Sequence, residues 1–254
     1  MTISNKVLDQ LKENKPSLGG WIMTASVTCA EIMARAGFDW VCIDAEHSPV
    51  NDETVQNMCI AIERHGAEPF VRIPKNDEVV FKKYLDMGAK GIIVPMVNSA
   101  EEVERAIAYA SYSPQGIRSF ALPRANGYGA FAEEYFRDAN KNLFIGIMIE
   151  HIDALSNLDE IFSIKRIDAV FIGPYDLSGS MNIPGQFDHK EFKQALNLIR
   201  SKAKEFNVTM GIHEIHPTIK KIQEYIDDGY SFIACGIDTL YIREMSEKFA
   251  SVKR

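Results

Sequence analysis

Several apolar runs in the sequence end on residues able to do chemistry: WVCID followed by AEH at 40–47, FVR at 70–72, GIMIEH at 146–151, VFIGPYD at 170–176 and GIHE at 211–214. Glu150 and Asp176 close two successive runs, so they stand on neighbouring strands if the runs are taken in chain order. Two carboxylates balance one divalent cation. No Cys or His cluster at ligand spacing accompanies them, so an all-oxygen site points to Mg²⁺ or Mn²⁺, with water and substrate oxygens completing an octahedron. His47 follows Glu46 and precedes Ser48-Pro49, which carries it out of its strand, and an imidazole suits acid/base work. Arg72 is the cation at the end of its run, able to grip a substrate carboxylate or a developing oxyanion. Plainer roles stay open at this point: Asp176 equally suits the N-cap of a helix beginning DLS, His47 can satisfy loop backbone, and Arg72 can simply neutralise the acids.

These residues act together only if one framework gathers the ends of their strands. Apolar runs at 18–23, 40–44, 69–73, 91–97, 143–149, 169–172, 209–212 and 232–235 alternate with stretches of helical period at 28–36, 52–64, 77–87, 100–110 and 191–206. Runs apolar nearly throughout are the mark of parallel strands buried on both faces. Glycines 37, 66, 88 and 229 supply helix stops. Eight βα units in 254 residues predict a single TIM (β/α)8 barrel over 1–254, whose chemistry lies at the C-terminal strand ends. A doubly wound dinucleotide fold is disfavoured, because Gly19-Gly20-Trp21 stands where GxGxxG is needed and no Walker loop occurs. The segment 113–142 reads as one long irregular loop, placed to serve as an active-site lid or a subunit contact.

Composition narrows the function further. A formal net charge of -7 without a Lys/Arg-rich run argues against nucleic acid or an anionic membrane as partner and for a small molecule. Cys29, Cys42, Cys59 and Cys235 lack CxxC spacing and read as reduced core thiols. The polar N-terminus is no signal peptide, and no run of 18 apolar residues occurs, so a soluble cytoplasmic protein is expected. A Schiff-base mechanism needs a desolvated lysine inside the barrel, but Lys75 lies in a loop beyond Arg72 and Lys90 precedes its strand. Gly211 and Gly236 are too little for a phosphate site after strands seven and eight. His65 and His189 read as surface residues, and His151 and His216 as loop residues.

The stretches GFDWVCIDAEHSP, EPFVRIPKND, LDMGAKGIIVPMVNSAEEVERAIAYASYSPQGIRSF, GIMIEHIDALSNLDEI and DAVFIGPYDLSGSMN resemble the HpcH/HpaI aldolase family, which includes 4-hydroxy-2-oxo-heptane-1,7-dioate and 2-keto-3-deoxy-sugar-acid aldolases. The resemblance runs from about Gly19 to the C-terminus. It implies a class II pyruvate aldolase that reversibly cleaves a 4-hydroxy-2-oxo acid to pyruvate and an aldehyde through a metal-bound pyruvate enolate. It further implies that Glu150 and Asp176 hold the metal, with Co²⁺ as an option beside Mg²⁺ and Mn²⁺. By the same resemblance Arg72 stabilises the enolate, His47 serves as acid/base, and Asp86 pairs with that histidine, across a subunit contact if need be. The substrate carboxylate maps to backbone near Gly173, Pro174 and Asp176. A homohexamer, a trimer of dimers with C-terminal helices exchanged, is implied and suits the apolar positions within 241–249. Tyr175 and the segment GIHEIHP depart from the family pattern at the mouth, so Arg118, Arg124, Tyr128 and His213 are candidates to meet the aldehyde. The alternatives are a CoA-ester lyase of the citrate lyase β or malyl-CoA lyase type, which needs a basic rim, and a non-catalytic barrel subunit.

Overall fold

The computed structural model describes residues 4–252; the remaining ends of the expected 1–254 domain lie outside the described residues. The eight strands are β1 (Ser17–Ile22), β2 (Trp40–Asp44), β3 (Glu68–Arg72), β4 (Gly91–Val94), β5 (Phe144–Ile149), β6 (Ala169–Ile172), β7 (Met210–Glu214) and β8 (Phe232–Cys235). Each pairs in parallel with the next and β8 pairs with β1, closing the barrel. The expected runs thus become strands, with bounds shifted by a few residues and β7 extended to include His213 and Glu214. The helices are α1 (Lys6–Lys12), α2 (Val27–Arg35), α3 (Asp52–Arg64), α4 (Glu78–Asp86), α5 (Ala100–Ala110), α6 (Ala132–Asn142), α7 (Leu158–Ser163), α8 (Pro174–Ser180), α9 (Lys190–Phe206), α10 (Ile219–Asp227) and α11 (Asp238–Ala250).

Alternation along the strands sorts two cores. Residues such as Val41, Ile43, Ile92, Ile145, Ile147, Val170 and Ile172 face the helices. Trp21, Trp40, Phe70, Phe144, Phe171 and Phe232 fill the barrel instead. Their rings pack face to face, Trp40 on Phe232 at 4.3 Å and Phe70 on Phe144 at 4.8 Å between centroids. So many rings fit because glycines stand beside them: a Cβ on Gly91 would lie 2.6 Å from the Phe70 ring, and one on Gly211 2.6 Å from that of Phe171.

The opening sequence, read only as polar, contains α1, which stoppers the N-terminal face by adding Val7 and Leu8 to the interior core. Asn5 caps it, its Oδ1 accepting from the Val7 amide at 3.2 Å, while its Nδ2 donates to Lys90 O at 2.9 Å and Asn142 O at 3.2 Å, just ahead of β4 and β5. With that end closed, the C-terminal face is the open mouth.

The segment 113–142 differs from expectation in two ways. It contains a helix, α6, and a short turn at Arg124–Asn126, which Gly127 and the surrounding polar residues concealed in the sequence. It also cannot be a lid over this chain's own mouth, because it connects a helix to the next strand and so lies on the N-terminal face. There Arg124 reaches Met87 O at 3.0 Å and pairs with Glu63, at the ends of α4 and α3. No helix among the described residues is long and apolar enough to cross a membrane.

The interior packing predicts a contrast between two glycines. Gly91→Ala drives a methyl into the Phe70 ring and lowers stability by about 1–3 kcal/mol in urea denaturation. Gly179→Ala, in α8 with nothing within 4 Å of the added carbon, is neutral or stabilising.

Candidate active site

The β2–β3 register sets Asp44 opposite Arg72 at the strand ends. Asp44 is fully buried, and every direction around its carboxylate is used. Arg72 donates from Nε to Oδ1 at 3.2 Å and from Nη2 to Oδ2, and the Trp21 indole N–H donates to Oδ2 at 3.1 Å. The amides of Glu46 and His47 both donate to Oδ1 at 3.0 Å, fixing the turn that leaves β2. Burial alone would raise the Asp44 pKa, but the hydrogen bonds and charge of Arg72, with the His47 amide and the Trp21 indole, hold it below the usual carboxylate value. In the sequence Asp44 shows only as the start of a polar strand end. The available signal was an acid closing a strand otherwise buried on both faces.

From this anchor the neighbours take their places. Arg72 Nη1 lies 3.3 Å from Glu46 Oε2, and its guanidinium sits 5.1 Å from the centre of the Trp21 ring. The His47 imidazole is 3.7 Å from the same Glu46 oxygen and, with its side chain 58% exposed, stands at the open mouth.

The β5–β6 register, Ile149 opposite Ile172, brings Glu150 beside Gly173. Here only glycine fits, since a Cβ would lie 2.5 Å from Glu150 Oε2. Glu150 Oε1 accepts from the Met96 amide at 2.7 Å, whereas Oε2 is buried without a hydrogen-bond partner. Burial pushes the Glu150 pKa up to about 7, against the Met96 amide; the charges of Asp176 and Glu46 raise it further and Arg72 opposes them. Glu46 is likewise raised by burial, against the pull of Arg72 and His47 and with help from Asp44 and Asp176. Asp176 sits in the first turn of α8, but the N-cap is Gly173 with Pro174 at the first helical position, so the capping role open to Asp176 in the sequence does not apply.

A buried carboxylate oxygen without a donor, on a group that also feels the charges of Asp176 and Glu46, fits a hard divalent cation held by oxygen ligands. No group of three or more His, Cys, Asp or Glu side chains suited to hold a metal converges among the described residues. The pair Glu150 and Asp176 would therefore leave positions for water and substrate.

Other expected residues are not gathered here. Asp86 ends α4 on the opposite face and pairs with Arg118 Nη2 at 2.8 Å, so it does not meet His47 within the chain. Arg118 is buried between Tyr112 and Tyr135, Arg124 holds Glu63, and Tyr128 is exposed in the same 113–142 segment. Within one chain none of these three reaches the mouth. Arg118 and Arg124 border a cavity of about 290 Å³ lined also by Lys90, Phe131 and Asn142. His213 does lie at the mouth, stacked on Trp21 at 4.7 Å. Tyr175 is exposed at the rim with its ring edge-on to Phe187 at 4.9 Å. His151 receives the Asp153 amide at 3.2 Å, and His216 pairs with Glu244 at 2.8 Å.

The sequence profile described as HpcH/HpaI aldolase/citrate lyase matches residues 18–244. The chain is 36% identical over 251 residues to a 4-hydroxy-2-oxo-heptane-1,7-dioate aldolase of Salmonella dublin, covering 98% of this chain and 94% of that protein. A crystal structure of an HpcH/HpaI aldolase/citrate lyase family protein from Burkholderia cenocepacia superposes with a TM-score of 0.91 at 26% identity, over 97% of this chain and 98% of that one. The citrate synthase SbnG superposes with a TM-score of 0.86 at 27% identity, over 98% and 97%.

The raised Glu150 pKa fixes the sign of a pH effect. The folded state keeps this proton up to about 7, while the unfolded chain releases it near 4.5, so metal-free protein loses stability as pH rises through that window, by up to roughly 3 kcal/mol. Thermal midpoints measured in EDTA from pH 4.5 to 8 fall accordingly in the native protein, and Glu150→Gln flattens the profile. An unchanged slope in that variant would assign the effect to other groups.

Proposed function

The chain belongs to the HpcH/HpaI aldolase/citrate lyase family and is a carbon–carbon lyase, and from that premise we propose that it reversibly cleaves a 4-hydroxy-2-oxo acid into pyruvate and an aldehyde with a divalent cation. The observation that carries the reading is the bare, buried Glu150 Oε2, on a carboxylate that feels the like charges of Asp176 and Glu46 and the opposite charge of Arg72.

Glu150 and Asp176 would hold the cation, Mg²⁺, Mn²⁺ or Co²⁺, which when bound supplies Lewis acidity at the substrate's 2-oxo oxygen. Arg72 donates to that oxygen as negative charge gathers there; with Nε and Nη2 held by Asp44, it stabilises the charge without having to reorient. His47 accepts the proton of the 4-hydroxyl. The O–H electron pair becomes the aldehyde carbonyl, and the electrons of the C3–C4 bond pass to the pyruvate half. The pyruvate carboxylate lies over the turn at Gly173 and Pro174. Pro174 has no N–H, and the Gly173 N–H faces Ile149 O at 3.5 Å, so the amides able to donate are those of Tyr175 and Asp176.

Asp86 can pair with His47 only if a neighbouring copy contributes it. Exposed Ile242, Met245 and Phe249 on α11 suit the exchange of that helix between copies in a hexamer. The four free cysteines suit a reducing compartment, the cytoplasm in our reading. The strand-end loops carry no lysine beyond Lys75 and no arginine beyond Arg72 among the described residues, which disfavours the phosphates of a CoA ester.

Oxaloacetate decarboxylation tests the assignment without knowledge of the aldehyde, because loss of CO₂ leaves the same pyruvate enolate. Glu150→Gln and Asp176→Asn each lower the metal-stimulated rate by roughly 100-fold or more while circular dichroism shows an intact barrel. Activity within tenfold of the native protein in either variant would contradict the ligand assignment.

A further inference from the structure

The functional reading does not account for His213. In β7, Ile212 packs toward the helices, so its neighbour His213 faces the barrel, on the floor of the mouth. Its imidazole stacks on Trp21 at 4.7 Å, and the same indole carries the Arg72 guanidinium at 5.1 Å. His213 therefore adjoins the group that holds the 2-oxo acid half, not the outer rim where the aldehyde departs.

The ring's hydrogen bonding fixes its tautomer. Nε2 lies 3.0 Å from Gly236 O, and a carbonyl only accepts, so Nε2 carries the hydrogen. Burial, against the Gly236 contact, and the positive charge of Arg72 lower the His213 pKa to about 4, so the ring is neutral near pH 7. Nδ1 is then an acceptor, and no group among the described residues donates to it. A lone pair of this kind beside the substrate discriminates. A ligand offering an O–H satisfies it, whereas one offering only a methyl group leaves it unpaired, and sites of this type reject the analogue lacking the hydroxyl strongly.

We infer that His213 accepts a hydrogen bond from a hydroxyl on the 2-oxo acid half of the substrate, so that this site favours a 3-hydroxy-2-oxo acid over unsubstituted pyruvate. The inference rests on the aldolase reading and goes beyond it, since the 2-oxo acid half released from the favoured substrate is hydroxypyruvate in place of pyruvate. The geometry supports this position through a chain of contacts: β7 aims the ring inward, Gly236 fixes which nitrogen bears hydrogen, and Trp21 sets the ring next to Arg72.

The test compares kcat/KM for solvent-deuterium exchange at C3 of hydroxypyruvate and of pyruvate, with Mg²⁺ or Mn²⁺ present, in the native protein, His213→Leu and His213→Gln. The ratio of the two substrates is the readout, so intrinsic differences in acidity cancel between proteins. The ratio falls at least tenfold in His213→Leu. In His213→Gln, whose amide can donate to Gly236 O and still present an oxygen acceptor, most of the ratio is retained. An equal ratio in the native protein and His213→Leu overturns the inference, as does an equal loss in the Leu and Gln variants. If His213→Leu does not fold, a Gln variant that loses the ratio overturns it alone. Absence of metal-stimulated exchange on pyruvate in the native protein defeats the aldolase reading itself, which separates that failure from a failure at His213.

Discussion

The mouth of this barrel is organised around one buried carboxylate. Asp44 accepts hydrogen bonds from the Arg72 guanidinium, the Trp21 indole and the amides of Glu46 and His47, so three strands and the turn after β2 are tied to a single charge. A buried ion pair of this kind adds little net stability, since desolvation offsets the attraction, but removing one partner strands the other in a low-dielectric interior. Its value here is orientation. Arg72 is held over the Trp21 ring and close to Glu46, and His47 is presented at the surface from a fixed turn. Catalysis that depends on stabilising transient charge needs donors already in position.

Glu150 is the counterpart that is not satisfied internally. One oxygen is occupied by Met96, the other is bare, and Asp176 and Glu46 add negative charge nearby. Left alone, such a group keeps its proton up to about pH 7; beside a cation it is a ligand. The contrast between Asp44, fully paired, and Glu150, half paired, divides the acids of the mouth into one that builds the site and one that waits for a partner. Gly173 permits this arrangement, because any side chain there would occupy the space around the bare oxygen.

Much of this was legible in the sequence, for physical reasons. Strands buried on both faces read as apolar runs, and a barrel places its polar strand ends on one face, so the sequence alone marks Glu150, Asp176, Arg72 and His47 as candidates. What required three dimensions was pairing. Nothing local indicates that Asp44 meets Trp21, or that Asp86 meets Arg118 thirty-two positions away. The α6 helix was hidden by its polar composition, and α1 by having only Val7 and Leu8 to bury. The capping ambiguity at Asp176 was resolvable earlier, since Pro174 at the first helical position already assigns the cap to Gly173. The side of the barrel on which 113–142 lies also followed from chain order alone, because a connection from helix to strand returns to the N-terminal face.

The measurement that tests the central claim most directly is deuterium incorporation into the methyl group of pyruvate from heavy water, followed by NMR, first with EDTA-treated protein and then after addition of Mg²⁺ or Mn²⁺. The account predicts no exchange above background without metal and rapid exchange once it is restored. Exchange that is equally fast in EDTA, or absent with every divalent metal tried, would contradict the proposal that Glu150 and Asp176 hold a cation for enolate chemistry at this mouth.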